Sequence, residues 1–394
     1  MHWVLDVVLL IALAGYVVNG TRRGFAHVLG SLIGVVAGGV VAFYLLPIVG
    51  GLIPSSFWRL IATLGVAIAL LVVGHVLGAS IGDSIARRVS REGTRRAIDR
   101  VFGGVLGLIA SALVISLLAA SVAPLGVPLL SSAIGDSVVI NTIQRLTPAP
   151  VQRFLAQAQS SAVRDTIPSI VDALGTGSTP PPAPDVKTDT TTLQKAAESV
   201  VKVSGNAYQC GQSQSGSGFV IARDRVITNA HVVAGVTEPV VQTQTGQALA
   251  GRVVYFDPIG DLAVVAVNGL DAATLPLGDR LGASDSAVWD GYPFGGPFTS
   301  GGATVLRVGQ ERVDDIYGSS TTERDVYTIA ADIQQGDSGG PLLATDGEVV
   351  GLVFAKSATT TGVGFAMTVA EVTPVVDKAA GFTTRVSSGH CSRE

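Results

Sequence analysis

Gly336-Asp337-Ser338-Gly339-Gly340-Pro341 is a run in which one hydroxyl is flanked by residues too small to cover it. Such a turn leaves backbone N–H groups unobstructed beside the serine oxygen. Acyl transfer from a peptide needs that pairing: a nucleophilic oxygen, with N–H donors placed for the tetrahedral oxyanion. Ser338 is the candidate nucleophile, and the N–H groups of Gly336 and Ser338 are the candidate oxyanion donors. A glycine-rich surface turn would have the same composition, so the rest of the chain has to supply partners.

Two partners lie upstream. Thr228-Asn-Ala-His-Val-Val233 places His231 just after the apolar runs Phe219–Ile221 and Val226–Ile227. Asp257-Pro-Ile-Gly-Asp-Leu-Ala-Val-Val-Ala-Val267 places Asp261 at the head of another apolar run. The order His, Asp, Ser is that of chymotrypsin and not of subtilisin or the α/β-hydrolases. With these three motifs the second half of the chain resembles the trypsin-like proteases of the HtrA/Deg branch, whose versions read TNxHVV, DxxxDLAV and GNSGGPL. The resemblance implies an all-β, chymotrypsin-like double β-barrel and peptide-bond hydrolysis by His231, Asp261 and Ser338.

Three other aspartates, Asp257, Asp332 and Asp337, stand in or near these motifs. Asp257 competes with Asp261 for the third role, but Asp257 precedes Pro258 and reads as a turn former. Asp337 stands where the HtrA pattern has Asn and agrees with digestive proteases, whose aspartate pairs with a new N-terminus. No Ile-Val-Gly-Gly start exists here to supply one. Asp332 stands before Ser338 at the count where trypsin-like enzymes place the residue at the base of the S1 pocket, and that resemblance would imply a basic P1 residue, whereas the HtrA branch has a small apolar residue there. Phe354, Ala355 and Gly364, the other S1 candidates, favour an apolar one, and that is the reading adopted, since a carboxylate unpaired among them is costly.

The first 125 residues have another character. Charged residues are only 14% of the chain, mean hydropathy is +0.48, and the apolar excess sits at the front. Trp3–Val18, Val28–Val49, Leu60–Ile81 and Val101–Val122 approach or exceed the length of a bilayer span. Arg22 and Arg23 separate the first two runs, and Arg87, Arg88, Arg91, Arg95, Arg96 and Arg100 the last two. Arginine favours the cytoplasmic side, so both termini and the whole second half are expected outside it.

Glycine recurs every fourth residue at Gly30, Gly34, Gly38, at Gly74, Gly78, Gly82 and at Gly103, Gly107. That spacing lets helices approach closely in lipid and allows self-association. Asp6 and His75 are ionisable groups at membrane depth, read either as a polar pathway or as helix–helix hydrogen bonding. Gly15 to Phe25, within four apolar helices, resembles the colicin V production (CvpA) membrane family.

The expected organisation is a four-helix transmembrane domain over 1–125, a helical and Pro-rich linker over 126–185 and a protease domain over 186–394. Short helices are expected around Val138–Leu146, Val151–Ala158, Ser169–Leu174 and Thr192–Val203, with an extended Thr179–Pro184. No metal-ligand cluster and no phosphate loop occur, so neither metal nor cofactor is expected. A formal net charge of −4 gives no basis for nucleic-acid binding. Cys210 and Cys391 are the two cysteines. Outside the cytoplasm they read as one disulfide rather than two free thiols, worth up to roughly 5 kcal/mol.

This combination resembles the MarP-like acid-resistance periplasmic proteases of high-GC Gram-positive bacteria. It implies a multi-pass membrane protein whose outer domain cleaves envelope proteins and supports survival in acid and oxidative stress, with the bilayer and those proteins as partners. The alternative is a transport or scaffold protein whose outer domain senses without cutting.

Overall fold

The computed structural model describes residues 2–51, 56–89, 93–122, 133–134, 137–160, 168–170, 186–207 and 212–392. The chain divides into two compact units. Residues 3–117 form one, and 118–394 with the first two residues form the other.

The smaller unit is helical: α1 (His2–Arg23), α2 (Phe25–Gly51), α3 (Ser56–Val89) and α4 (Gly93–Val122). Four segments of these helices are long and apolar enough to cross a membrane. The first three helices overrun their apolar runs at both ends and α4 at its N-terminal end only, since charged residues such as arginine continue a helix at little cost. A side chain at Gly34 would strike the carbonyl of Gly74, and one at Gly78 the carbonyl of Gly30. The same holds for Gly20 against Gly103. The glycine stripes thus bring α2 onto α3 and α1 onto α4 of the same chain. His75 is exposed, and Asp6 is half-buried. The polar contact that sequence reasoning missed is buried His27, whose Nδ1 meets Asp83 Oδ1 at 2.7 Å.

In the larger unit α5 (Val138–Leu146) starts on Ser137, whose side chain accepts from Ile140 N–H, and α6 (Ala149–Ser160) follows. Two expectations fail here. Ser169–Ile170 is not helical but a short strand, β1, pairing in parallel with the strand at Lys356–Ser357. The helix expected over Thr192–Val203 stops early: α7 covers Thr191–Ala197, and the β-branched run that follows enters a strand. The proline segment 179–184 lies outside the described residues.

Twelve further strands make two barrels. The first closes in the order β2 (Val200–Ala207), β3 (Gln212–Ala222), β4 (Arg225–Thr228), β7 (Leu262–Val267), β6 (Ala248–Asp257), β5 (Val240–Gln242). The second runs β12 (Val349–Ser357), β11 (Pro341–Leu343), β8 (Ser286–Gly291), β9 (Thr299–Asp314), β10 (Thr321–Ala330), β13 (Val363–Thr368), and pairing of β12 with β13 closes it. Both are antiparallel, and α9 (Val369–Val376) follows the last strand.

One apolar cluster joins the barrels. Phe219, Ile227, Leu262 and Val264 of the first pack with Val288, Leu343, Leu352, Phe354 and Phe365 of the second. Each such side chain contributes roughly 1.5–3 kcal/mol when buried. The cluster therefore fixes one barrel against the other, and the site described next draws residues from both.

Candidate active site

Strand register brings His231 to Asp261. β4 and β7 pair antiparallel with Thr228 opposite Ala263, so the end of one adjoins the start of the other. After Thr228 the chain makes a single helical turn, α8 (Ala230–Val233), which carries His231. Before Leu262 sits Asp261 with φ of +49°, a left-handed conformation that a short polar side chain tolerates. His231 Nδ1 lies 2.8 Å from Asp261 Oδ2, and the His231 N–H donates to Oδ1 at 2.9 Å. The carboxylate thus fixes both the ring and its backbone. Asn229 adds a bond from Nδ2 to the Asp261 carbonyl at 2.9 Å.

Asp257 is elsewhere engaged. Its Oδ1 accepts from the N–H groups of Ile259 and Gly260 at 3.0 Å each, as a turn former does.

Ser338 sits in the turn between β10 and β11 of the second barrel. Gly336 and Gly339 have φ of +98° and +87°. A side chain at Gly339 would strike the Ser217 carbonyl and Thr228 Oγ1, so glycine is required there. The turn is laced to the first barrel: Ser217 N–H donates to the Ser338 carbonyl at 2.8 Å, and Ser217 Oγ to the Gly336 carbonyl at 2.7 Å. Thr228 Oγ1 in turn donates to the Ser217 carbonyl at 2.6 Å.

The Gln335 carbonyl accepts from the Phe294 N–H. A planar trans peptide holds its N–H opposite its carbonyl, so the Gly336 N–H points away from Phe294. Neither it nor the Ser338 N–H donates to another group among the described residues.

His231, Gly336 and Ser338 line one small pocket with Gln214, Ser215, Val232 and Gln335. His231 Nε2 is buried and has no hydrogen-bond partner among the described residues. Ser338 Oγ lies 3.5 Å from the Phe354 carbonyl. The pocket therefore gathers the Ser338 residue, the His231 ring and the Gly336 backbone, with the Gly336 and Ser338 N–H groups uncommitted among the described residues. Those are the requirements of acyl transfer.

Residues 216–352 match the trypsin-like peptidase domain family, and residues 5–148 match the colicin V production protein family. Serine protease Rv3671c of Mycobacterium tuberculosis is 34% identical over 268 residues, spanning 67% of each chain. The chain belongs to this family of trypsin-like serine proteases. Its members act as peptide hydrolases, and this chain is a serine protease of the same type. The crystal structure of the Rv3671c protease in its active form is similar at 34% identity and a TM-score of 0.53, covering 57% of this chain and 100% of that one. The putative serine protease HhoB of Synechocystis is 36% identical over 156 residues, 39% of this chain and 37% of its own. The family's two-barrel architecture is the one described above.

The S1 candidates are not gathered in that pocket. Asp332 is exposed and accepts from Gln334 Nε2 at 2.6 Å. Phe354 and Ala355 are buried on β12. A side chain at Gly364 would strike Ile333, which places an isoleucine rather than a carboxylate beside it. Cys391 is disulfide-bonded, while Cys210 lies outside the described residues.

Asp337 is fully buried. Burial raises its carboxyl well above the usual range, against a hydrogen bond from the Gln334 N–H. No ammonium group meets it among the described residues, so the digestive-protease pairing is not reproduced. A protonated Asp337 is close in shape and charge to the asparagine of the HtrA pattern. Sequence reasoning passed over Ser217, Thr228 and Asn229 as site residues. The last two stand inside the Thr228–Val233 motif and offered a signal; Ser217, in a Gly/Ser run, offered none.

Proposed function

We propose that this chain is a membrane-anchored, extracytoplasmic serine endopeptidase that cleaves proteins of the cell envelope. Ser338 is the nucleophile, His231 the general base and later acid, and Asp261 the group that holds the tautomer and stabilises the imidazolium. The N–H groups of Gly336 and Ser338 receive the oxyanion. The observation that carries this reading is His231 itself: anchored to Asp261 at 2.8 Å, it keeps Nε2 free in the pocket it shares with Ser338.

Anchoring is supported by the four apolar helices, and outward placement of the protease by the arginines between the first two and the last two. A role in acid and oxidative stress rests on the resemblance to MarP-like proteases, and Cys210 paired with Cys391 on the cysteine count. The glycine stripes pack α2 on α3 and α1 on α4 within one chain, and self-association through them stays an expectation of their spacing alone.

Labelling with a fluorophosphonate tests the reading. The wild type is expected to label and the Ser338→Ala variant not; an unlabelled wild type would favour the sensor alternative.

Primary specificity follows from Ile333 taking the place beside Gly364. A P1-scanned peptide library is expected to show an apolar preference, with Asp332→Ala changing kcat/KM less than about threefold. A strong Arg or Lys preference that disappears in Asp332→Ala would reverse the assignment.

A further inference from the structure

The turn from Asp257 to Asp261 is held from several sides, and one of its holders carries a charge. Asp257 caps it from within and Asn229 grips its last carbonyl. From the second barrel, the Ile316 N–H donates to the Pro258 carbonyl at 3.1 Å. Arg324 on β10 also reaches across and donates from Nη1 to the Gly260 carbonyl at 3.0 Å. Gly260 is the residue just before the triad aspartate. Arg324 is only 2% exposed, and its Nη2 has no hydrogen-bond partner among the described residues.

A guanidinium this buried is unfavourable unless carboxylates compensate it. Burial lowers its affinity for protons, and the carboxylates of Asp261, Glu371, Asp257 and Asp315 oppose that loss, Asp261 most strongly. Glu311, opposite Arg324 on β9, is paired with Arg307 instead. Asp337, beside the nucleophile in sequence, is held towards its neutral form by burial and is not among the acids that act on Arg324. The cation therefore acts chiefly on the turn that carries Asp261.

We propose that Arg324 is a positioning residue: through its bond to the Gly260 carbonyl it clamps the turn that carries Asp261 to the second barrel, and so fixes where that carboxylate stands beside His231. The proposal rests on the Ser338–His231–Asp261 reading above. A carboxylate held 2.8 Å from Nδ1 sets the orientation of the imidazole, and a turn that shifts takes the ring out of that orientation.

The experiment is steady-state hydrolysis of a fluorogenic peptide by the full-length protein in detergent, with active sites counted by fluorophosphonate titration and Ser338→Ala as control. Arg324→Gln is expected to lower kcat per titrated site by roughly 10- to 100-fold, with KM little changed. Arg324→Lys, which keeps a charged donor on a different stem, is expected to lose about three- to tenfold in kcat. A merely structural arginine would lower the melting temperature and the number of titratable sites, and leave kcat per site unchanged. An Arg324→Gln kcat per site equal to that of the wild type overturns the proposal. Should that variant not fold, Arg324→Lys decides alone, and an unchanged kcat per site overturns it. Activity surviving in Ser338→Ala would instead indict the triad reading beneath it.

Discussion

Alanine at Ser338 or at His231 is expected to lower kcat by about 10⁴-fold or more, with KM and melting temperature close to those of the wild type. On the proposed mechanism the first substitution removes the attacking oxygen and the second the general base. The fold loses little by comparison: His231→Ala gives up the Nδ1 bond to Asp261 but keeps the backbone N–H bond to Oδ1. Ser338 Oγ has one long contact, to the Phe354 carbonyl, and His231 Nε2 has none among the described residues. The double variant is expected to lose no more than either single one, because the groups act as a unit.

Asp261→Asn is expected to cost nearly as much, since an amide can donate to Nδ1 and so favour the wrong tautomer. Asp257→Asn, which still accepts from the Ile259 and Gly260 N–H groups, is expected to cost less than about tenfold. Steady-state hydrolysis of a fluorogenic peptide, with circular dichroism to confirm folding, checks all four. If Asp257→Asn were the dead variant and Asp261→Asn the active one, the third member of the triad would have to be reassigned.

What could be read from the residues was local and periodic. Three short motifs named His231, Asp261 and Ser338, and four apolar runs marked the helices that α1 to α4 occupy. What could not be read was set by contacts between distant segments. The β1 strand exists because the edge of β12 at Lys356–Ser357 accepts it, a pairing that nothing in Ser169–Ile170 announces. Arg324 stands in none of the motifs, and only the approach of the two barrels brings it to Gly260. The glycine stripes were legible as close-packing surfaces, but which helices of the chain they bring together needed coordinates. Asp332 shows the limit of counting: its distance from Ser338 in sequence suggested the base of a pocket, yet its side chain turns outward to Gln334.

From pH 7 down to about pH 4, the protein is expected to become more stable as the solution becomes more acid. Asp290, only 1% exposed and with Oδ1 unpartnered among the described residues, is raised by burial to about 7, against a hydrogen bond from Ser300. Asp337 is raised well above the usual range by burial, with Asp332 adding to the effect. An unfolded aspartate ionises near pH 3.9. Between that value and the folded one, the native state holds protons that the unfolded chain has released. Stability therefore falls as pH rises through this window and recovers as pH drops.

Other shifted groups do not reverse the sign there. Burial lowers Lys202 to about 8, so its effect is complete by pH 7 and adds no slope below. Burial pushes Asp315 up, but hydrogen bonds from Ser319, Ser320 and Tyr317 outweigh it, so its contribution is lost only under more acidic conditions. A shift of about three units at Asp290 alone corresponds to on the order of 4 kcal/mol. In a domain of this size that is a rise in melting temperature of roughly 10 °C. Thermal unfolding of the full-length protein at pH 7, 6, 5 and 4.5, followed by tryptophan fluorescence, gives the slope. Trp289, buried beside Asp290 in sequence, is a direct reporter. Asp290→Asn, which keeps the shape and cannot ionise, is expected to flatten most of the slope, and Asp337→Asn a further part. A melting temperature that falls steadily from pH 7 to pH 5, or a slope unchanged in Asp290→Asn, would show that these buried carboxyls are not held neutral.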